Sequence, residues 1–131
     1  MLRTLLGLMM ILSCVYAQEN LRAPVVVLNA ESITGGRETG TAFLVGQREG
    51  RLYFLTAWHV VEYDPEAIQI TFRNGQRATG RVENQNPGLD AALISCPAPA
   101  AYQAPPSFAL ATSDPAPMQA VRIVGPPELY R

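Results

Sequence analysis

Thr56-Ala57-Trp58-His59-Val60-Val61 is the stretch on which the reading of this chain turns. It follows the apolar run Leu52-Tyr53-Phe54-Leu55 and carries the only histidine of the sequence. A histidine where an apolar strand ends sits at the rim of a sheet. Its ordinary pKa of about 6.5 lets it exchange protons near neutrality.

Working outward, Arg51 to Thr56 is predicted as a strand. Gly46 to Gly50 before it reads as a short charged turn, and Gly40-Thr41-Ala42-Phe43-Leu44-Val45 as the partner strand of a hairpin. Pro24 to Leu28 is apolar and β-branched, a first strand, separated from the second by polar Asn29 to Glu38 with Gly35-Gly36 marking a turn. On the other side, Val60 to Glu66 turns away from the sheet. Ile68 to Phe72 alternates apolar and polar residues as a half-buried strand does. Asn74-Gly75 is a two-residue hairpin signal, since both residue types tolerate positive φ. Gln76 to Glu83 returns as the partner, with Ala78, Gly80 and Val82 on one face. Asn84 to Gly88 is a polar turn, and Ala91 to Ile94 a short buried strand. Pro97 to Pro106 is rich in alanine and proline, a surface connection. Phe108 to Ala111 and Ala120 to Val124 are expected as strands either side of a loop at Ser113 to Pro117. No segment sustains a helical period. Roughly seven or eight short strands imply an all-β barrel or sandwich.

Bulk composition agrees with one packed domain. The chain has 131 residues, 48% of them hydrophobic, with a net charge of −1. Its ten basic residues are all arginine and are scattered, so no basic patch points to nucleic acid or to an anionic membrane surface.

Residues 1–17 read as a secretory signal peptide. Arg3 supplies the positive n-region, Leu5 to Leu12 the apolar core and Val15-Tyr16-Ala17 the cleavage pattern, leaving Gln18 first in an exported product. The apolar run is shorter than the 20 or so residues a membrane span needs. Cys14 could instead be a lipobox cysteine, but the leucine before Ser13 fits that pattern poorly, so periplasmic or secreted export is the expectation over lipid anchoring. With Cys14 removed, Cys96 is an unpaired thiol in an apolar strand and is read as core packing. One histidine and one buried cysteine cannot supply the three or four ligands of a metal site.

The chemistry of these residues has a recognisable form. Acyl transfer by a serine needs a hydroxyl, a histidine that takes its proton and a carboxylate that fixes the histidine's tautomer. His59 is the base candidate. Asp90, in Pro87-Gly88-Leu89-Asp90-Ala91-Ala92-Leu93-Ile94, stands just before an apolar strand and is the carboxylate candidate. Taken singly, His59 reads as a satisfied histidine at a strand end, and Asp90 as a turn residue.

Together these motifs resemble the trypsin-like (chymotrypsin-fold) serine proteases, particularly their Deg/HtrA-like branch. Thr-Ala-x-His-Val-Val looks like the segment bearing the base. Leu-Asp-x-Ala-Leu-Ile looks like the acid segment, and Gly40 to Val45 like the strand that leads into the histidine hairpin. Val121-Arg122-Ile123-Val124-Gly125-Pro126-Pro127 looks like the strand that opens a second barrel. The likeness runs from Pro24 to Pro127. It implies a chymotrypsin-like first β-barrel, with His59 and Asp90 as catalytic residues, a protein or peptide substrate and no cofactor.

Two departures qualify that likeness. Trp58 stands where relatives carry a small residue, and is read as core or rim packing. The family's Gly-x-Ser-Gly-Gly loop has no counterpart: Ser32, Ser95, Ser107 and Ser113 are the serines of the expected mature chain, none flanked by glycine. The resemblance therefore implies a first barrel plus the opening strand of a second barrel that is otherwise missing. Such a chain has base and acid but neither nucleophile nor oxyanion hole, and no turnover of its own. It is expected to be either a fragment or partnered, with association through an exposed barrel edge one route. Two other readings stand beside this one: a secreted binding module that has shed catalysis, and an unrelated small β-domain.

Overall fold

Six antiparallel strands follow one another with short connections, in a computed structural model that describes residues 21–120 and 123–124. They are β1 (Val25–Glu31), β2 (Arg37–Arg48), β3 (Arg51–Thr56), β4 (Ile68–Thr71), β5 (Arg77–Asn86) and β6 (Ala91–Pro97). The expected leader, and Val121 and Arg122 of the expected last strand, lie outside the described residues.

The strands run in the order β1-β2-β3-β6-β5-β4 and close into a barrel. Two three-stranded meanders meet twice, along β3 and β6 and along β1 and β4. The second seam pairs Val27 with Thr71, Leu28 with Ile70 and Asn29 with Gln69. The fold is all-β, as the sequence predicts, and it is a barrel rather than a sandwich. Closure also corrects one expectation. Every described strand has a hydrogen-bonded neighbour on each side, which reduces the expected exposed edge to short stretches such as Arg37–Ala42 of β2, paired only with β1, and Arg77–Gly80 of β5, paired only with β4.

Alternation in the strands builds the interior. Val26, Leu28, Ala42, Leu44, Leu52, Phe54, Ile68, Ile70, Ala92, Ile94 and Cys96 point inward and are buried. Phe72 lies edge-on to Phe54, ring centroids 6.1 Å apart, and Tyr102 closes over Phe72 at 4.6 Å. The Cys96 thiol is fully buried and free, and burial pushes its pKa up to about 11. It is core packing, as read.

Three local expectations are revised. β1 and β2 extend well into the polar 29–38 stretch, because their ladder continues to Glu31 opposite Arg37. Asn74-Gly75 does not make a two-residue turn. Phe72 pairs with Gln76, Gly75 alone has positive φ (87°), and Gly75 N–H donates to the Phe72 carbonyl at 2.9 Å, so the loop has three residues. The two-residue turn with both φ positive is instead Glu49-Gly50 (52° and 76°), between β2 and β3. Phe108 to Ala111 is not a strand. The β1–β2 ladder stops at Val25 opposite Phe43, with the Pro24 carbonyl accepting one further bond from Leu44 N–H at 2.8 Å, and the β1 side of β2 is open beyond that. There the Leu44 carbonyl accepts from Phe108 N–H at 2.9 Å, and the Phe108 ring meets Phe43 edge-on.

Candidate active site

β3 ends at Thr56, whose hydroxyl donates to the Thr41 carbonyl on β2 at 2.8 Å. The chain then enters a one-turn helix, Trp58–Val61. Its residue before the first turn is Ala57, which has no side chain to cap the free N–H groups. Asp90, 31 residues beyond His59, supplies the missing acceptors. Its carbonyl accepts from Trp58 N–H at 3.1 Å and its Oδ1 from His59 N–H at 2.8 Å.

The helix is held down by Val60 and Val61, both buried. Val60 lies so close to β2 that a Cβ on Gly40 would stand 2.5 Å from one of its methyl groups and 2.8 Å from the other. Only glycine at that position lets the helix seat there. The carboxylate comes from the other meander. β5 ends at Asn86, whose Oδ1 accepts from Leu89 N–H at 3.2 Å and closes a 3-10 turn, Pro87–Leu89. Asp90 follows in the left-handed region (φ 51°, ψ 47°), a conformation that aspartate tolerates better than most residues, and β6 begins.

These elements bring the two sequence-predicted residues together. His59 Nδ1 lies 2.7 Å from Asp90 Oδ2, while the same carboxylate holds the His59 backbone N–H. That double attachment fixes both position and ring orientation. The Asp90 carboxyl is held below its ordinary value, chiefly by the His59 backbone N–H and then by the imidazole. Conversely, the hydrogen bond to Asp90 raises the pKa of His59. Partial burial opposes this, and the charges of Asp90, Glu38 and Glu62 add to it. An ionised Asp90 selects the tautomer with the proton on Nδ1, so the Nε2 lone pair points outward. Among the described residues, nothing hydrogen-bonds to Nε2. Both side chains are about half exposed, 57% and 48%. The pair thus holds an oriented imidazole of raised basicity, with no partner at Nε2 among the described residues.

None of the four serines singled out by the sequence bonds to His59. The Ser95 hydroxyl is fully buried, donates to Glu83 and accepts from Arg51 Nε at 3.1 Å and Nη2 at 2.9 Å. Ser32 lies in the β1–β2 turn, 3.0 Å from the Thr34 hydroxyl, while Ser107 and Ser113 are exposed after β6. Among the described residues, no group of three or more histidine, cysteine or carboxylate side chains could hold a metal. No helix among them is long and apolar enough to cross a membrane.

With this geometry in hand, comparison with known proteins settles the lineage. The sequence profile of the trypsin-like peptidase domain matches residues 40–130, which include the glycine that seats the helix, His59 and Asp90. The chain belongs to that family. No curated protein matches the sequence of this trypsin-like domain. Among solved structures it is similar to an HtrA-type protease, AlgW, with tripeptide. Identity is 27% and the TM-score 0.48, over 60% of this chain and 25% of that one. The chain therefore spans a quarter of the length of that protease.

Sequence reasoning missed the residues that hold this trypsin-like site together from behind. The sequence reads Asn84 to Gly88 as a polar turn, yet Asn84, Gln85 and Asn86 belong to β5 and each makes a specific bond. Asn84 Oδ1 accepts from Gln85 N–H at 2.8 Å, Gln85 Oε1 from the Trp58 indole at 3.2 Å, and Asn86 caps the 3-10 turn. The run of three carboxamides next to Pro87-Gly88 was the available signal, because such side chains cap turns and replace ladder bonds.

Proposed function

We propose that this chain is the first barrel of an exported trypsin-like serine endopeptidase, supplying the general base His59 and its orienting carboxylate Asp90. The observation that carries the reading is the double hold of Asp90 on His59, through Nδ1 and through the backbone N–H. Nε2 would take the proton of an attacking hydroxyl, and Asp90 would stabilise the imidazolium that forms. The leaving amine would then receive that proton from Nε2. The substrate is a protein or peptide held against the His59 face.

The attacking serine belongs, in this proposal, to a second barrel rather than to the segment described here, and this barrel alone is inactive. Two observations support that. Ser95 is buried and engaged by Arg51 and Glu83, and none of the other described serines bonds to His59. Residues 1–17 act as the export signal in this reading, on the n-region, apolar core and cleavage pattern of the sequence.

One experiment addresses these points. The 131-residue product, recovered after export, is expected to begin at Gln18 and to take no fluorophosphonate label. A longer product continuing through whatever Gly-x-Ser-Gly-Gly segment follows in the DNA is expected to be labelled on that serine. His59→Gln in the longer product should cut its peptidase rate by about 10⁶-fold and Asp90→Asn by about 10⁴-fold. Absence of any such downstream segment, or labelling that survives His59→Gln, would overturn the assignment in favour of a non-catalytic binding module.

A further inference from the structure

We infer that Trp58 and Gln85 form a clasp that sets the orientation of His59 toward Asp90, making both of them positioning residues of the dyad. Trp58 immediately precedes His59 and donates twice. Its backbone N–H goes to the Asp90 carbonyl at 3.1 Å and its indole Nε1–H to Gln85 Oε1 at 3.2 Å. Gln85 and Asp90 are the residues on either side of the Asn86–Leu89 turn. One residue therefore grips the entry and the exit of the loop that presents the carboxylate.

The neighbouring carboxamides cannot take this part. Asn84 is spent on the Gln85 N–H at the β5 irregularity and Asn86 on the 3-10 turn. Gln85 is the one of the three that reaches across to the segment carrying the histidine. Its own backbone is anchored, because Gln85 pairs with Ala92 in the β5–β6 ladder.

Exposure explains why such a clasp is needed. His59 and Asp90 are each about half open to solvent, so water competes for their mutual bond and burial alone does not hold the ring. The indole differs: it is partly buried and packs against the core cluster. An indole has only two rotatable side-chain bonds, and packing leaves them little freedom. Its N–H is therefore a fixed point, tying the histidine segment to the acid loop. A bond to the exposed Gln85 adds little to global stability, so it can be removed without unfolding the barrel.

This inference rests on the reading of His59 and Asp90 as base and carboxylate, and its test reads the dyad directly. The chain contains one histidine, so its ring titration can be followed without overlap by nuclear magnetic resonance in the 131-residue protein. Trp58→Phe keeps an aromatic ring and removes the indole donor; Gln85→Met keeps length and removes the acceptor. Each is expected to weaken proton binding at His59 by roughly threefold, about half a pH unit. The double variant should shift no further than either single one, because both act through one bond. Thermal unfolding of Gln85→Met should stay near that of the parent. A His59 titration unchanged in a folded Gln85→Met protein would overturn the clasp, as would shifts that add in the double variant. Should Trp58→Phe unfold, the Gln85→Met titration decides alone. Shifts as expected, with no hydrolysis from the serine-bearing longer product, would leave the clasp standing and remove the catalytic reading.

Discussion

His59 and Asp90 shift each other's ionisation in opposite directions, and this makes the dyad a pH-dependent brace. The Asp90 carboxyl, held below its ordinary 3.8, contributes stability that is present above that value and is lost as pH falls through the lowered one. His59, raised above its ordinary 6.5, contributes stability that is complete below 6.5 and is lost as pH rises through the raised value. Both contributions are present together between about pH 4 and 6.5. Asp90→Asn, which keeps the left-handed turn acceptable, should therefore lower the melting temperature most in that window, less near pH 9, where only the Asp90 contribution remains, and least below the lowered carboxyl value. The drop should be small, because both side chains are half exposed. A melting difference that stayed flat across pH would contradict the coupling. For proton transfer the same shift matters differently: His59 must be neutral to act as a base, so any activity should rise with pH through the raised value.

At the scale of elements, the site depends on how closely the one-turn helix can approach β2. Gly40 makes the contact possible, since any Cβ there would overlap the methyl groups of Val60. Gly40→Ala is expected to push the helix outward, costing about 1–3 kcal/mol in chemical denaturation and weakening the hold of Asp90 on the His59 N–H. Val60→Ala in the same chain should return part of the loss, because it removes the overlapping methyls. No interaction between the two substitutions in a double-mutant cycle would count against that seating. The hairpins carry a related lesson. Asn-Gly is the stronger two-residue turn signal, yet Glu49-Gly50 adopts the doubly positive turn while Asn74-Gly75 becomes part of a three-residue loop. Register along β2–β3 and β4–β5 decides which residues are left over to turn, and that register follows from which side chains must face the core.

Across the whole molecule, closure is the controlling event. β1 meets β4 through only three residue pairs, but they turn two meanders into one barrel with a continuous interior. The thiol of Cys96 reports on that interior. It is fully buried, with its pKa pushed up to about 11, so it should resist alkylation at pH 8 until the barrel opens. Mapping the modified peptide separates Cys96 from Cys14. Modification of Cys96 in the native protein at a rate near that of an unfolded control would mean that the barrel opens readily, which the dense packing around Ile94 and Phe54 argues against.

The residues determined much of this by themselves. Period-two alternation in Ile68 to Phe72, the apolar run before Thr56 and the glycine-bearing gaps made an all-β domain legible. The strings around His59 and Asp90 marked a candidate dyad because each pairs a polar reactive group with the strand that must carry it. Only the tertiary structure decided the rest. Barrel closure, how much strand edge stays open and the fate of Phe108 to Ala111 depend on which strand segments are already paired, and local pattern holds no record of that. Trp58 bonding to Gln85, and Asp90 capping a helix 31 residues away, were equally hidden, because hydrogen bonds between distant groups obey geometry rather than spacing. Sequence periodicity specifies which face of a strand avoids water; only the closed barrel specifies which strand ends meet.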